Sequence, residues 1–120
     1  MTPKKNLKSF SPVVKWSSVI VNLFACLAWL SSIGEGKYAA WFCVTNLINT
    51  IAAFLWAKNF LYDYAFWAIL SIMSFLQAAA YFKDGGMTML GLTCCFALSF
   101  ALIAYIARKI LVEGLLDDEE

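Results

Sequence analysis

Ten consecutive residues carry the densest polar chemistry of this chain: Trp41-Phe42-Cys43-Val44-Thr45-Asn46-Leu47-Ile48-Asn49-Thr50. Two amides and two hydroxyls fall within six residues of an otherwise apolar run. Such groups are costly in hydrocarbon unless they meet a partner, water or a ligand. Their chemistry is to donate and accept hydrogen bonds, not to carry protons or charge. Two other segments hold matching groups. Ser18, Asn22 and Cys26 recur every fourth residue, and Ser71, Ser74 and Gln77 every third, so each set shares a helical face. Thr45 and Asn49 share a ridge continued by Ala53 and Ala57, with Asn46 and Thr50 beside it.

Heights along the segments bring these groups together. Measured from the ends that read as cytoplasmic, Asn22 lies about 9 Å in, Ser71 about 10 Å and Asn49 about 12 Å. Ser74 follows at about 15 Å, Asn46 at about 16 Å and Gln77 at about 20 Å. Two readings compete. In one, the layer is glue between helices, each cross-helix bond contributing about 0.6–2 kcal/mol. In the other, it lines a polar cavity for a small neutral solute, with Asn46, Asn49, Asn22, Trp41, Ser74 and Gln77 facing the ligand. The glue reading is slightly the better supported. Trp41 and Trp29 are the rings best placed to stack on a ligand, against the plainer reading of an interfacial aromatic belt.

Other chemistries lack their residues. The chain has no histidine, no paired carboxylates on one segment and no glycine-rich phosphate loop, so no catalytic set is expected. Gly85-Gly86 reads as a turn. The apolar segments hold no ionisable side chain of the kind that proton relays and voltage sensors need. Asp63 reads as a residue at a helix start, where the dipole favours it. Cys26, Cys43, Cys94 and Cys95 form no C-x-x-C pair and read as buried reduced thiols, so neither a metal nor a cofactor is expected. The tail lysines serve topology rather than nucleic-acid binding.

The elements that hold the polar layer follow from composition. The chain is 62% hydrophobic and 14% charged, with mean hydropathy +0.74; soluble domains carry about 25% charge. This predicts an all-α polytopic membrane protein with four transmembrane helices, at about 14–33, 38–57, 63–82 and 87–107. Each span of about 20 residues covers about 30 Å, the hydrocarbon thickness. Gly34-Glu35-Gly36-Lys37, Lys58-Asn59 and Lys83-Asp84-Gly85-Gly86 mark the turns. Residues 16–109 form the transmembrane domain, 1–15 a basic tail and 110–120 a tail that continues the helix briefly and ends in acid. The first apolar run is too long for a signal-peptide core. Leu7 and Phe10 could lay a short amphipathic stretch on the membrane.

Lys4, Lys5, Lys8, Lys15, Lys58, Arg108 and Lys109 fall on one side, and Lys37 and Lys83 on the other. Both termini are therefore expected in the cytoplasm, in a plasma (inner) membrane. Trp16, Trp56 and Trp67 fall near cytoplasmic segment ends. The fourth segment carries two small-residue ridges, Gly91–Cys95–Ser99 and Thr93–Ala97–Ala101, which permit close helix approach. The first of these is the expected oligomerisation face. No internal repeat is evident, so any symmetry must come from a second copy.

Residues about 16–83 resemble the three-helix unit of PnuC-type nicotinamide riboside transporters and their small relatives. The resemblance rests on Trp16, the Lys37-Tyr38 loop, Trp41-Phe42 followed by Thr45-Asn46, and Asn59, Tyr62 and Tyr64 ahead of an aromatic third segment. The third segment closes on Ala80-Tyr81-Phe82-Lys83, without the glycine and closing tryptophan of the family. The resemblance implies a nucleoside surrounded by aromatic and amide side chains, with Trp41, Asn46 and Asn49 at the ligand, and dimerisation to complete the transporter. The leading expectation is thus a homo-oligomeric transporter or binder of a small neutral or aromatic solute. The alternatives are a non-catalytic subunit or regulator of a larger membrane complex, and a holin-like pore-forming protein.

Overall fold

The structure is a computed structural model that describes residues 10–35 and 37–118, with side chains as far as Val112. Four helices follow one another: α1 (Pro12–Ser31), α2 (Ala39–Ala57), α3 (Asp63–Asp84) and α4 (Met87–Asp118). All four contain a stretch long and apolar enough to cross a membrane, in α4 Met87–Val112. The expected bounds hold within a few residues, except that α4 runs on through the acidic tail to Asp118. The basic residues before Ser9 and the end of that tail lie outside the described residues.

Local signals account for the helix ends. Ser11 caps α1 by accepting the Val14 N–H at 3.3 Å, and Pro12 occupies the first turn, where its missing N–H costs nothing. Two helices end in Schellman turns. In the first, Asn59 takes the left-handed conformation (φ 64°), with Phe60 N–H on Leu55 C=O at 2.9 Å and Asn59 N–H on Trp56 C=O at 3.0 Å. In the second, Gly85 (φ 80°) plays the same part, with Gly86 N–H on Tyr81 C=O at 3.0 Å. Both residues tolerate positive φ, which is why these two turns stop the helices there.

Each helix packs on its neighbours in sequence: α1 along α2, α3 along α4, and α2 on α3 over a smaller contact. Among the described residues no Cα of α1 comes within 8 Å of one of α4. The assembly is therefore a pair of hairpins with an open seam between the outer helices. Large apolar side chains cover its outside, including Ile20, Phe24, Ile51, Ile72, Leu98 and Leu102. In water that surface would be strongly unfavourable.

The tightest core sits where α2 turns into α3. Trp56 and Phe66 are fully buried and stack with ring centroids 4.1 Å apart, flanked by Ala52, Ala53 and Leu70. Trp56 donates its indole N–H to Asp63, the first residue of α3. Asp63 thus stands at the helix start as expected, and is buried there. Phe10 does not lie along an outer surface: its ring packs 5.3 Å from Trp56 and 5.7 Å from Trp67, tucked under the start of α1. Leu7 lies outside the described residues. Lys15, expected in a solvated tail, is inside α1 and only 6% exposed; its Nζ donates to Asn59 Oδ1 at 3.0 Å and stands 5.7 Å from the Trp56 ring centre.

Candidate functional site

Between the two hairpins lies an open cleft of about 470 Å³, a size that suits a small organic ligand. All four helices line it. The α1 wall gives Asn22, the α2 wall Asn46 and Asn49, and the α3 wall Ser74 and Gln77. Five of the six residues expected at a ligand therefore meet in one space. Their spacing explains this: on each helix they recur by three or four, and the three helices turn those faces inward.

Hydrogen bonding separates locks from free groups. Gln77 Nε2 donates to Thr45 Oγ1 at 2.9 Å, joining α3 to α2, and Ser71 Oγ donates to Ala97 C=O at 2.7 Å, joining α3 to α4. Ser71 is thus a lock between helices and does not line the cleft. The three asparagines behave differently. Asn22 Nδ2 donates within α1, to Ser18 C=O at 2.8 Å and to Ser18 Oγ at 3.3 Å. Asn46 Nδ2 donates within α2, to Phe42 C=O at 2.8 Å. Asn49 is 6% exposed, and its Oδ1 has no hydrogen-bond partner. An uncompensated buried amide oxygen is an unfavourable arrangement for a purely structural residue.

Trp41 is the exception among the six. It does not line the cleft and is 45% exposed, with its indole N–H donated to Leu76 C=O on α3 at 2.8 Å. It borders a separate shallow hollow with Tyr38 and Lys83. The ring that occupies the cleft instead is Trp67, expected only as an interfacial anchor. Its Nε1 is buried and without a partner. Trp29 stacks on Phe42, with centroids 4.6 Å apart, rather than on open space.

The fourth helix contributes more to the cleft than its sequence indicated. Thr93, Phe96 and Phe100 face it, joined by Tyr81 from α3. The signal was legible as the stripe Met89–Thr93–Phe96–Phe100, spaced four, three and four. Likewise Trp67–Leu70–Ser74–Gln77–Tyr81 forms one stripe on α3. The two small-residue ridges of α4 divide. Thr93 and Ala97 are buried within the structure, whereas Gly91, Cys95 and Ser99 are exposed on its outside. An added Cβ at Gly91 would meet nothing within 4 Å.

Among the described residues no group of three or more metal-ligating side chains is assembled. Cys26 and Cys43 meet between α1 and α2, sulfurs 3.8 Å apart, and both are buried free thiols. Comparison with family models, curated proteins and solved structures finds no match to this chain.

Proposed function

We propose that this chain lies in a membrane with both termini in the cytoplasm and that its cleft binds and passes a small uncharged or aromatic solute. One observation carries the reading: among the described residues, the cleft-facing asparagines lock no helix to another. Helix cohesion falls to Gln77–Thr45 and Ser71–Ala97, and Asn49 keeps an unpaired acceptor in the cavity wall. Those features fit ligand contact better than glue. Among the described residues the cleft lining includes no Asp, Glu, Lys or Arg, which favours facilitated movement over proton coupling. The excess of Lys and Arg at the termini and the α2–α3 turn supports the orientation. The outward Gly91–Cys95–Ser99 ridge supports assembly as a homo-oligomer. By its resemblance to the nicotinamide riboside transporters the solute is a nucleoside or a molecule of that kind.

Uptake into proteoliposomes tests the proposal, with labelled inosine and uridine, two uncharged nucleosides, as the two solutes. At least one should enter faster than into protein-free liposomes. Asn49→Leu and Asn46→Leu should cut that entry about tenfold or more, the loss of one hydrogen bond being about 1–3 kcal/mol. Entry of neither solute, or entry that both substitutions leave unchanged, would overturn it. A second reading, a subunit of a larger membrane complex, draws on the same exposed ridge. It would be favoured by a stoichiometric foreign protein that copurifies in mild detergent.

A further inference from the structure

The hollow beside Trp41 lies outside the cleft, where the start of α2 meets the end of α3, and holds about 310 Å³. Tyr38 and Trp41 line it from one side, Ala79, Ala80 and Lys83 from the other. The spacing of three or four within each set puts its members on one helical face. Ala80 is buried and Ala79 exposed, and neither carries a side chain beyond Cβ that fills the space. Trp41 donates its indole N–H to Leu76 C=O at 2.8 Å, so its ring is tied to α3 as a fixed wall. Lys83 stands at the end of α3, with Ala79 about 6 Å and Leu76 about 10 Å further along the helix. The hollow is therefore a short apolar slot with a cation at its lip, at the height where a spanning helix leaves the hydrocarbon.

The charges around it favour an anion. Among the described residues Lys83 is the one charged side chain of the lining. Lys37 stands 5.5 Å from the Tyr38 ring centre and borders, with Asp84, the next hollow beyond Tyr38. Those two opposite charges offset each other and leave the positive charge of Lys83 in surplus. Glu35 lines neither hollow. A small soluble anion matches the lysine and leaves the apolar slot to be filled by something else. A plain hydrocarbon fills the slot and leaves the lysine unmatched. A phosphate with hydrocarbon attached below it satisfies both.

We propose that this hollow seats one anionic phospholipid, its phosphate against Lys83 and the upper part of an acyl chain over Ala79 and Ala80, beside the Trp41 ring. The proposal rests on the chain lying in a bilayer and is independent of what the cleft binds. It gives Trp41, which the cleft leaves out, a surface to present. Tryptophan and tyrosine are suited to this height, each with an apolar ring and a polar tip. A choline headgroup would bring a second cation beside Lys83, whereas an uncharged glycerol headgroup leaves the phosphate and lysine as the only pair. The lipid preferred is therefore one with net negative charge.

Native mass spectrometry of the whole protein released from detergent micelles tests this. The probes are dioleoyl phosphatidylglycerol and dioleoyl phosphatidylcholine, equal in chains and added in equal amount. The first lipid retained should be phosphatidylglycerol by about fivefold, the effect of one lysine on attraction for an anionic lipid. Lys83→Gln should remove most of that preference. Lys109→Gln, which removes a cation from α4, should leave most of it in place. Ala79→Leu puts a larger side chain into the slot at an exposed helical position, and should lower retention of both lipids. Equal retention of the two lipids by the unaltered protein would overturn the proposal. So would a preference that Lys83→Gln leaves intact, or retention that Ala79→Leu leaves intact. A lipid-free dimer that Ala79→Leu dissociates would overturn it too, and would assign the hollow to a second copy of the chain.

Discussion

The Nζ of Lys15 donates to Oδ1 of Asn59 across 3.0 Å, tying the first turn of α1 to the left-handed residue that ends α2. The ammonium is buried and rests near the Trp56 ring. One asparagine therefore serves two purposes. Its backbone stops α2 and its side chain satisfies the lysine. Lys15→Met keeps the aliphatic stem and removes the charge, and should lower stability by about 1.5–3 kcal/mol, the range for hydrogen bonds to charged groups. Asn59→Gly keeps the left-handed backbone and loses only the acceptor, so it should show a similar loss. Denaturant titration in micelles measures both. Unchanged midpoints in the two variants would show that the bond adds nothing.

The Trp56–Phe66 stack is the other anchor of this end. Trp56 is fully buried and donates to Asp63. Trp56→Ala should cost about 3–5 kcal/mol through the cavity it leaves. Trp56→Phe retains a ring against Phe66 but removes the indole donor from Asp63, and should fall between wild type and alanine. Thermal unfolding in detergent gives the order of the three. An alanine variant as stable as the phenylalanine variant would contradict the packing described.

Cys26 and Cys43 offer a direct check on how α1 lies along α2. Their sulfurs are 3.8 Å apart, and a disulfide needs about 2.0 Å, a gap that side-chain rotation can close. Copper phenanthroline acting as the oxidant should link them within one chain. The product is two mass units lighter in the intact protein, with the loss of two alkylatable thiols. Cys26→Ser should prevent this. Failure of the pair to cross-link in unaltered protein would mean that the helices sit in a different register.

Cys95 reports on the outside of α4. It is exposed beside Gly91 and Ser99, whereas Cys26 and Cys43 are buried. Under the homo-oligomer proposal, mild oxidation in native membranes should give a dimer linked through Cys95. Cys95→Ser should abolish it and Cys26→Ser should not. A chain that stays monomeric on gels at all oxidant levels would remove this ridge as the contact.

Helix existence and approximate bounds were readable because long apolar runs between glycine-rich or lysine-asparagine turns leave few alternatives. The asparagine-lined cleft was readable because spacing by three and four puts residues on one face whatever their neighbours do. Trp41 was misplaced because it was grouped with Asn46 by closeness along the chain. At about 100° per residue, five residues place it about 140° round the helix from Asn46, and it finds its partner in Leu76 C=O instead. Lys15 and Phe10 were read as membrane-surface residues because their charge and position resemble an ordinary basic tail. Their burial depends on Asn59, Trp56 and Trp67, more than forty residues away, and no local pattern contains that information. Trp67 was assigned to a belt by its height alone, while the stripe it shares with Ser74 and Gln77 pointed to the cleft.

Since among the described residues each helix packs only on those beside it in the chain, the α1–α2 and α2–α3 contacts need not wait for the last helix to appear. Such low contact order shortens the search for the native arrangement. It also allows assembly to follow synthesis, the first hairpin closing while the second is still being made. A ribosome-tethered chain halted after α3 has emerged should already form the Cys26–Cys43 cross-link. If that link appears only once α4 is complete, the hairpins depend on one another and assembly is concerted rather than stepwise.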